Sequence, residues 1–401
     1  VLQKPCHPAL HQDSGYLSAE FDILDAGDLS PRPIRFSTDL ACGPAMRPAH
    51  ALIDLSALRH NYRLAKSLTH CRALAVVKAN AYGHGALQCA AALNDEADGF
   101  AVSSIEEALE LREAGHQQPI VLLEGWFEAA ELELICRHDL WPVVHHHGQL
   151  VNLREANLSR PLHIWLKLDS GMHRTGFSVA EYPQVWRELR SSGKVASLTK
   201  ITHLARADEP ETGRTEQQLE AFVQATTGLE GPTSLSNSAG VLAWPAAYGD
   251  WVRPGIMLYG SSPFGFAQEH AAQLRPVMQL DSRVIAVHQI AAGEPIGYGS
   301  RFVTSRPSRI GVVAMGYADG YPRHAPDGTP VLVDGQRTCI SGRVSMDMLT
   351  IDLTDLPNSG LGSYVRLWGD GLDAGEVAHS AGTISYQLFC NLNRVPRRYQ
   401  N

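Results

Sequence analysis

The sequence predicts an α/β protein, a (β/α)8 barrel of the TIM type followed by a mainly-β C-terminal domain. Three observations carry this expectation. Short apolar runs return every 20 to 35 residues between positions 70 and 260. The stretches between them carry helix-start signals. After Leu274 the texture changes to alternating, strand-like pieces.

A short apolar run bounded by turn residues reads as a buried strand. Eight are present: LAVVK (74–78), GFAVS (99–103), PIVLLEG (119–125), WPVVH (141–145), LHIWLKLD (162–169), KITHLA (200–205), TSLSN (233–237) and RPGIMLYG (253–260). Ahead of the first run, Leu58, Tyr62 and Ala65 mark one face of a helix. Between runs, Ser104 with Glu107 makes a capping-box pattern before Ile105, Ala108 and Leu109, and Thr215 with Gln218 makes another before Leu219, Phe222 and Val223. Eight strand–helix periods suggest a barrel whose chemistry sits at the C-terminal ends of its strands. The later segments VMQLDSRVIAVHQI, RIGVVAMGY, PVLVDGQRTCI and DMLTIDLTDL read as strands, with Asp334-Gly335 as a hairpin turn and SYQLFCNL (385–392) as a closing helix.

These patterns divide the chain into a barrel over residues 46–275 and a β domain over 276–401. Residues 1–45 lack sustained periodicity, and the first methionine is Met46, so they are expected to be an extension, upstream-translated or foreign, outside the functional polypeptide. Composition narrows the function. A net charge of −8 lacks the basic excess that drives binding to phosphate backbones, so nucleic acid is not an expected partner. No run of about 18 apolar residues is present to span a bilayer, so no membrane partner is expected. Seven scattered cysteines without a Cys-x-x-Cys pair fit reduced thiols and a cytoplasmic location.

On the barrel reading, polar residues at strand ends are the candidate site groups. Lys78 ends the first run; Lys167 and Asp169 end the fifth, followed by Arg174; His203 ends the sixth; Asn237 and Ser238 follow the seventh; Arg253, Gly255 and Ile256 lie in the eighth. The set is rich in cations and poor in paired carboxylates, which disfavours glycoside hydrolysis and favours an anionic ligand. The Ser238 hydroxyl and the N–H groups of Gly255 and Ile256 are suited to a phosphate. Taken alone, a strand-end lysine is more often a solvated cap. His145-His146-His147 is read as a strand end rather than metal ligands, because successive strand positions point to opposite faces.

Taken together, AVVKANAYGHG, KLDSGMHRTG, THLARADE, SNSAG, VRPGIMLYG, PIGYGSRF, GYADGYPR, GRVSMDML and YQLFCNLNRVPR resemble the pyridoxal-phosphate-dependent alanine racemases, most closely the catabolic kind of Gram-negative bacteria. The likeness runs from Met46 to about Tyr399. It implies that Lys78 holds pyridoxal 5'-phosphate as a Schiff base and that Tyr298 acts as a second base. Racemisation needs two bases because a proton leaves one face of a planar centre and returns on the other. The resemblance further implies a head-to-tail homodimer with shared sites, Tyr298 being supplied across the interface, and L- and D-alanine as substrates.

By the same resemblance Arg174 pairs with the substrate carboxylate, and Met346 and Asp347 form a substrate-side loop of the other subunit. Tyr82, Ser238, Gly255, Ile256 and Tyr386 hold the phosphate. Arg253 faces the pyridine nitrogen, and with His203 it favours the phenolate of Tyr298. Lys167 takes the position of a carbamylated lysine that fixes Arg174, and Tyr317 and Arg343 line the entrance. The chain departs from the pattern at His173, where some members have Gly, and at Ser345, where others have Cys. A broad-specificity amino-acid racemase, a barrel-type amino-acid decarboxylase and a non-catalytic cofactor-binding protein are the competing readings. Tyr298 and Arg253 weigh against the decarboxylase, and a β domain bearing Tyr298 and Met346 weighs against the non-catalytic protein.

Overall fold

The computed structural model describes residues 47–401. The expectations for residues 1–45 and for Met46 as a start lie outside the described residues. The first helix, Leu55–Thr69, opens at Asp54, whose carboxylate accepts the Ala57 N–H at 2.9 Å, and closes at left-handed His70. Leu58, Tyr62 and Ala65 lie on its buried face, as the pattern predicts. The Tyr62 hydroxyl donates to Ala73 O at 2.8 Å, and the Asp98 carboxylate takes both Lys66 Nζ (2.6 Å) and the Ala73 N–H (2.8 Å). These bonds fasten the helix to the first barrel strand.

The barrel strands are Arg72–Val76, Gly99–Val102, Ile120–Leu122, Leu140–Val144, Leu162–Lys167, Val195–Ile201, Thr233–Ser234 and Trp251–Val252. The first seven pair in parallel in that order, and the eighth pairs in parallel with the first. Across the remaining seam, Asp250 N–H donates to Thr233 O and Arg253 N–H to Ser236 O, both at 3.0 Å, so the barrel is nearly closed.

Four sequence expectations are corrected, three of them in the barrel. RPGIMLYG is not the eighth strand. That strand is Trp251–Val252, and Ile256–Tyr259 forms a 3-10 turn, because Pro254 has no N–H for a ladder and the Ser238 hydroxyl takes the N–H groups of Gly255 and Met257. Ser104 precedes the helix Ile105–Glu113 but makes no side-chain cap, since Glu107 turns to Ser103 and Ala79. Thr215 lies inside the helix Arg214–Thr226, which begins after left-handed Gly213, and Gln218 reaches across to the barrel rim.

The β domain is built on the long strand Met278–Ile290, which pairs antiparallel with Ser308–Val313 and Tyr364–Trp368. Pro330–Val333 and Gln336–Cys339 form the expected hairpin, with Asp334 at φ 50° and Gly335 at φ 81° as its two-residue turn. His50–Asp54, grouped with the barrel by sequence, joins this sheet instead. It pairs antiparallel with the strand Met278–Ile290 and parallel with Arg397–Gln400.

The closing helix runs Ser385–Cys390 and packs on the turn after the first barrel strand. A Cβ on Gly83, at φ 77°, would lie 2.1 Å from Phe389 O. Gly83→Ala is therefore expected to lower stability. The backbone conformation alone accounts for about 1–3 kcal/mol, and the clash adds to it. An unchanged melting temperature would contradict this close approach.

Candidate active site

Two groups of the sequence-predicted residues assemble in the chain. The first lies at the C-terminal rim of the barrel. Lys78 follows the first strand and opens a turn, Lys78–Tyr82, in which Ala79, Asn80 and Ala81 all sit at φ 53° and Tyr82 at φ 51°. Left-handed residues other than glycine cost roughly 1–2 kcal/mol each, so four in succession need external support. The Glu107 carboxylate accepts the Ala79 N–H, Asn80 Oδ1 accepts the Ala86 N–H at 2.8 Å, and His84 Nδ1 lies 3.0 and 2.9 Å from Ala81 O and Tyr82 O. Two carbonyl partners require Nδ1 to be the donor, which leaves Nε2 as a buried acceptor without a partner. Lys78 Nζ has no hydrogen-bond partner among the described residues.

Around this amine stand the other cations. Arg253 is 4% exposed, and it donates to Ser234 Oγ and Thr202 O at 2.6 Å and to Leu235 O at 3.3 Å. Burial lowers its pKa to about 9, still protonated at neutral pH. Its Nη2 is 3.4 Å from His203 Nδ1. Because a guanidinium only donates, His203 accepts there as a neutral imidazole, consistent with a pKa pushed well down by burial and then by Arg253, Lys167, Arg174 and Lys78. Lys167 is lowered to about 7, by burial first and then by Arg253, Arg174 and Lys78, with Asp169 opposing. Lys167, Met172, Arg174, Thr202 and His203 line one narrow crevice. Arg174 is exposed and makes no hydrogen bond among the described residues. His173, at φ 56°, gives its N–H to Asp169 and pairs with that carboxylate through Nδ1 at 3.1 Å.

A second part of the rim is neutral. Ser238 Oγ accepts from Gly255 N–H at 2.9 Å and Met257 N–H at 3.2 Å. A Cβ on Gly255 would come 2.6 Å from the Tyr82 hydroxyl, so only glycine fits beside that ring. The Ile256 N–H and the hydroxyls of Tyr82 and Tyr386 have no partner among the described residues, and the two tyrosine rings lie 5.9 Å apart. The Ile256 N–H and the two tyrosine hydroxyls are the open donors here, a set of the kind that suits a phosphate, whereas the Gly255 N–H expected to join them is taken by Ser238.

The second group lies on the β domain. Tyr298 and Met346 are 69% and 53% exposed. Gly297 and Gly299, flanking Tyr298, lie along Arg343. Tyr317 N–H donates to Ser345 O at 3.0 Å, and Ala318 N–H to Met346 O at 2.9 Å. No hydrogen bond among the described residues joins this group to the rim of its own barrel.

Sequence reasoning missed four supports. Glu107 and His84 hold the lysine turn. Gln218, fully buried, accepts the Ala205 N–H at 2.8 Å and donates to His203 O at 3.0 Å, bracing the loop after the sixth strand. Asp319, also fully buried, accepts from Gly316 N–H at 2.9 Å and pairs with Arg47 and Arg394, and both arginines in turn bond Asp347. Asp319 was visible as an acid inside GYADGYPR. Nothing local distinguished Gln218 from a cap.

A parallel barrel whose rim gathers an unpartnered amine, two guanidiniums and open hydroxyl and N–H donors has the features of a barrel enzyme suited to an anionic ligand. Residues 53–263 match the family model for alanine racemase, N-terminal domain, and residues 277–399 the model for alanine racemase, C-terminal domain. The catabolic alanine racemase of Pseudomonas putida is 62% identical over 354 residues, covering 88% of this chain and 99% of that protein. The alanine racemase of an Azoarcus species is 61% identical over 355 residues, covering 88% of this chain and all of that one (100%). Among solved structures, the biosynthetic alanine racemase of Pseudomonas aeruginosa superposes with a TM-score of 0.87 at 51% identity, covering 89% of this chain and 100% of that one. The Bartonella henselae alanine racemase with covalently bound pyridoxal phosphate gives 0.80 at 31% identity, covering 88% and 99%. The chain belongs to the alanine racemase family.

His84 supplies a pH test of the lysine turn. Burial pushes its pKa down to about 3, from an ordinary value of 6.5 that the unfolded chain regains. A base whose folded pKa is depressed stabilises the fold above the unfolded value, and that contribution is lost as pH falls from 6.5 toward 3. His84→Gln keeps an N–H donor and cannot titrate. Wild type is expected to lose more melting temperature than this variant on acidification from about pH 7 to about pH 5, and equal losses would contradict a buried neutral imidazole.

Proposed function

We propose that this protein interconverts L- and D-alanine, with pyridoxal 5'-phosphate held covalently by Lys78 and the reacting groups drawn from two subunits. The observation that carries the reading is the juxtaposition of an unpartnered Lys78 with the Tyr82–Ser238–Gly255–Ile256–Tyr386 cradle, which suits the cofactor's aldehyde and phosphate ends. The covalently bound pyridoxal phosphate of the Bartonella henselae relative supports the same assignment. When bound, the cofactor draws electron density from the substrate's α-carbon and makes its proton acidic.

The chain's own groups then divide the work. Arg174, exposed and unbonded, takes the substrate carboxylate with its planar fork. Arg253 would be the residue that faces the pyridine nitrogen of the bound cofactor. Because a guanidinium cannot give up its proton, it would leave the ring a weaker electron sink and so disfavour transamination. Lys78 removes or returns the α-proton on one face of the substrate, and Tyr298 of a second subunit does so on the other. Exposure of Tyr298 and Met346 in the single chain supports their use across an interface. His203 and Arg253 would give that phenol a donor-rich neighbourhood, which favours phenolate. Tyr317 and Arg343 narrow the entrance and favour a small side chain.

Polarimetry with alanine and several larger amino acids, with and without added cofactor, tests activity and breadth together. Carbon dioxide release without optical inversion would replace racemisation with decarboxylation. Lys78→Ala is expected to abolish activity and the visible absorption, while mixing it with Tyr298→Phe subunits restores part of the activity. Failure of the mixture despite demonstrated subunit exchange would remove the shared site.

Lys167 is proposed to carry a carbamate. With a pKa lowered to about 7, a large share of the amine is neutral at physiological pH. The neutral amine can therefore add to carbon dioxide, its N–C bond forming as one C=O π bond opens and one proton passes to solvent, so that an anion stands beside Arg174 where the protonated lysine would be a cation. ¹³C-bicarbonate is expected to give a carbamate resonance that Lys167→Arg lacks, and a wild-type spectrum without it would exclude the modification.

A further inference from the structure

Glu107 occupies a capping position yet caps nothing at Ser104. One oxygen, Oε2, accepts from the N–H and Oγ–H of Ser103, both at 2.8 Å, at the end of the second barrel strand. The other, Oε1, accepts the Ala79 N–H at 2.6 Å, the peptide next to Lys78. Its helix, Ile105–Glu113, presents Ile105, Ala108 and Leu111 to the core, so the carboxylate is carried on a packed element. We propose that Glu107 is the positioning residue for Lys78. It ties the first position of the left-handed turn to the neighbouring barrel strand, and so fixes the direction in which the lysine side chain leaves the backbone.

The geometry separates this role from ordinary stabilisation. Asn80 and His84 also support the turn, but both belong to the same segment, and their bonds fall at Ala81, Tyr82 and Ala86. Glu107 alone among the three bonds at residue 79 and reaches it from a different strand–helix unit. A charged acceptor shared by three donors is stiffer than a neutral one and holds its N–H group at short range. A misplacement of about 1 Å in a reacting group can cost on the order of 100-fold in rate, whereas binding of the substrate carboxylate or the cofactor phosphate does not use this contact. Loss of Glu107 therefore falls on the chemical step and on the environment of the lysine-bound chromophore.

This inference rests on the proposed role of Lys78, so the experiment first requires alanine racemisation by the wild-type holoenzyme. Failure there defeats the functional reading, not the positioning. Given wild-type activity, Glu107→Ala is expected to lower kcat per bound cofactor by about 10–100-fold, with KM within about two-fold, and to alter the visible circular dichroism of the bound cofactor. Glu107→Gln keeps one carbonyl oxygen for the Ala79 N–H and is expected to recover much of the kcat and of the visible spectrum. Ser103→Ala, which removes a bond to Glu107 without touching residue 79, should change kcat little. Unchanged kcat per bound cofactor and unchanged visible circular dichroism in Glu107→Ala would overturn the proposal. So would a loss confined to melting temperature, or a Glu107→Gln variant no better than Glu107→Ala.

Discussion

The site depends on one strained piece of backbone, the left-handed turn between Lys78 and Tyr82. A right-handed helix at the end of the first strand would carry its side chains around a different face, and Lys78 would not share a rim with the tyrosine beside Gly255. The turn survives because its surroundings over-determine it: a carboxylate at its start, an imidazole at its end, and a packed helix against Gly83. Its conformational cost is met by residues spread over the barrel and the β domain, which makes the lysine's geometry a property of the whole unit.

The electrostatics around the turn follow from what is absent from it. Lys78, Lys167, Arg174 and Arg253 gather there, Asp169 only partly offsets them at Lys167, and the depressed pKa values of Lys167 and His203 express that excess. Arg253 is tolerated deep in the wall because three oxygen atoms and an imidazole nitrogen take its protons. A cluster of this kind attracts anions, and the proposed phosphate, substrate carboxylate and carbamate are all anions.

Much of this was legible in the sequence because barrel chemistry sits at strand ends, and strand ends are marked by the switch from apolar to polar residues. Lys78, Lys167, His203 and Ser238 were found that way, and the β-domain hairpin was found from Asp334-Gly335. What escaped was governed by contacts distant in sequence. Glu107 and Gln218 both sit where a capping residue would, and only the folded barrel brings an N–H from another unit within their reach. The eighth strand was misplaced by a few residues because IMLY is apolar in a turn as in a strand, and only the Ser238 hydroxyl decides between them. His50–Asp54 carries no local sign that it belongs to a sheet assembled from the opposite end of the chain.

That strand has a consequence for synthesis. Its partners are the start of Met278–Ile290 on one side and Arg397–Gln400 on the other, so it is made early and paired late. The barrel can close while translation continues, since its strands and crossovers follow one another along the chain. The β sheet cannot be complete until residues 397–400 are available to pair with His50–Asp54. An unpaired edge is where one chain meets another, so the docking of Arg397–Gln400 is also what covers this edge of His50–Asp54 against other copies of the protein.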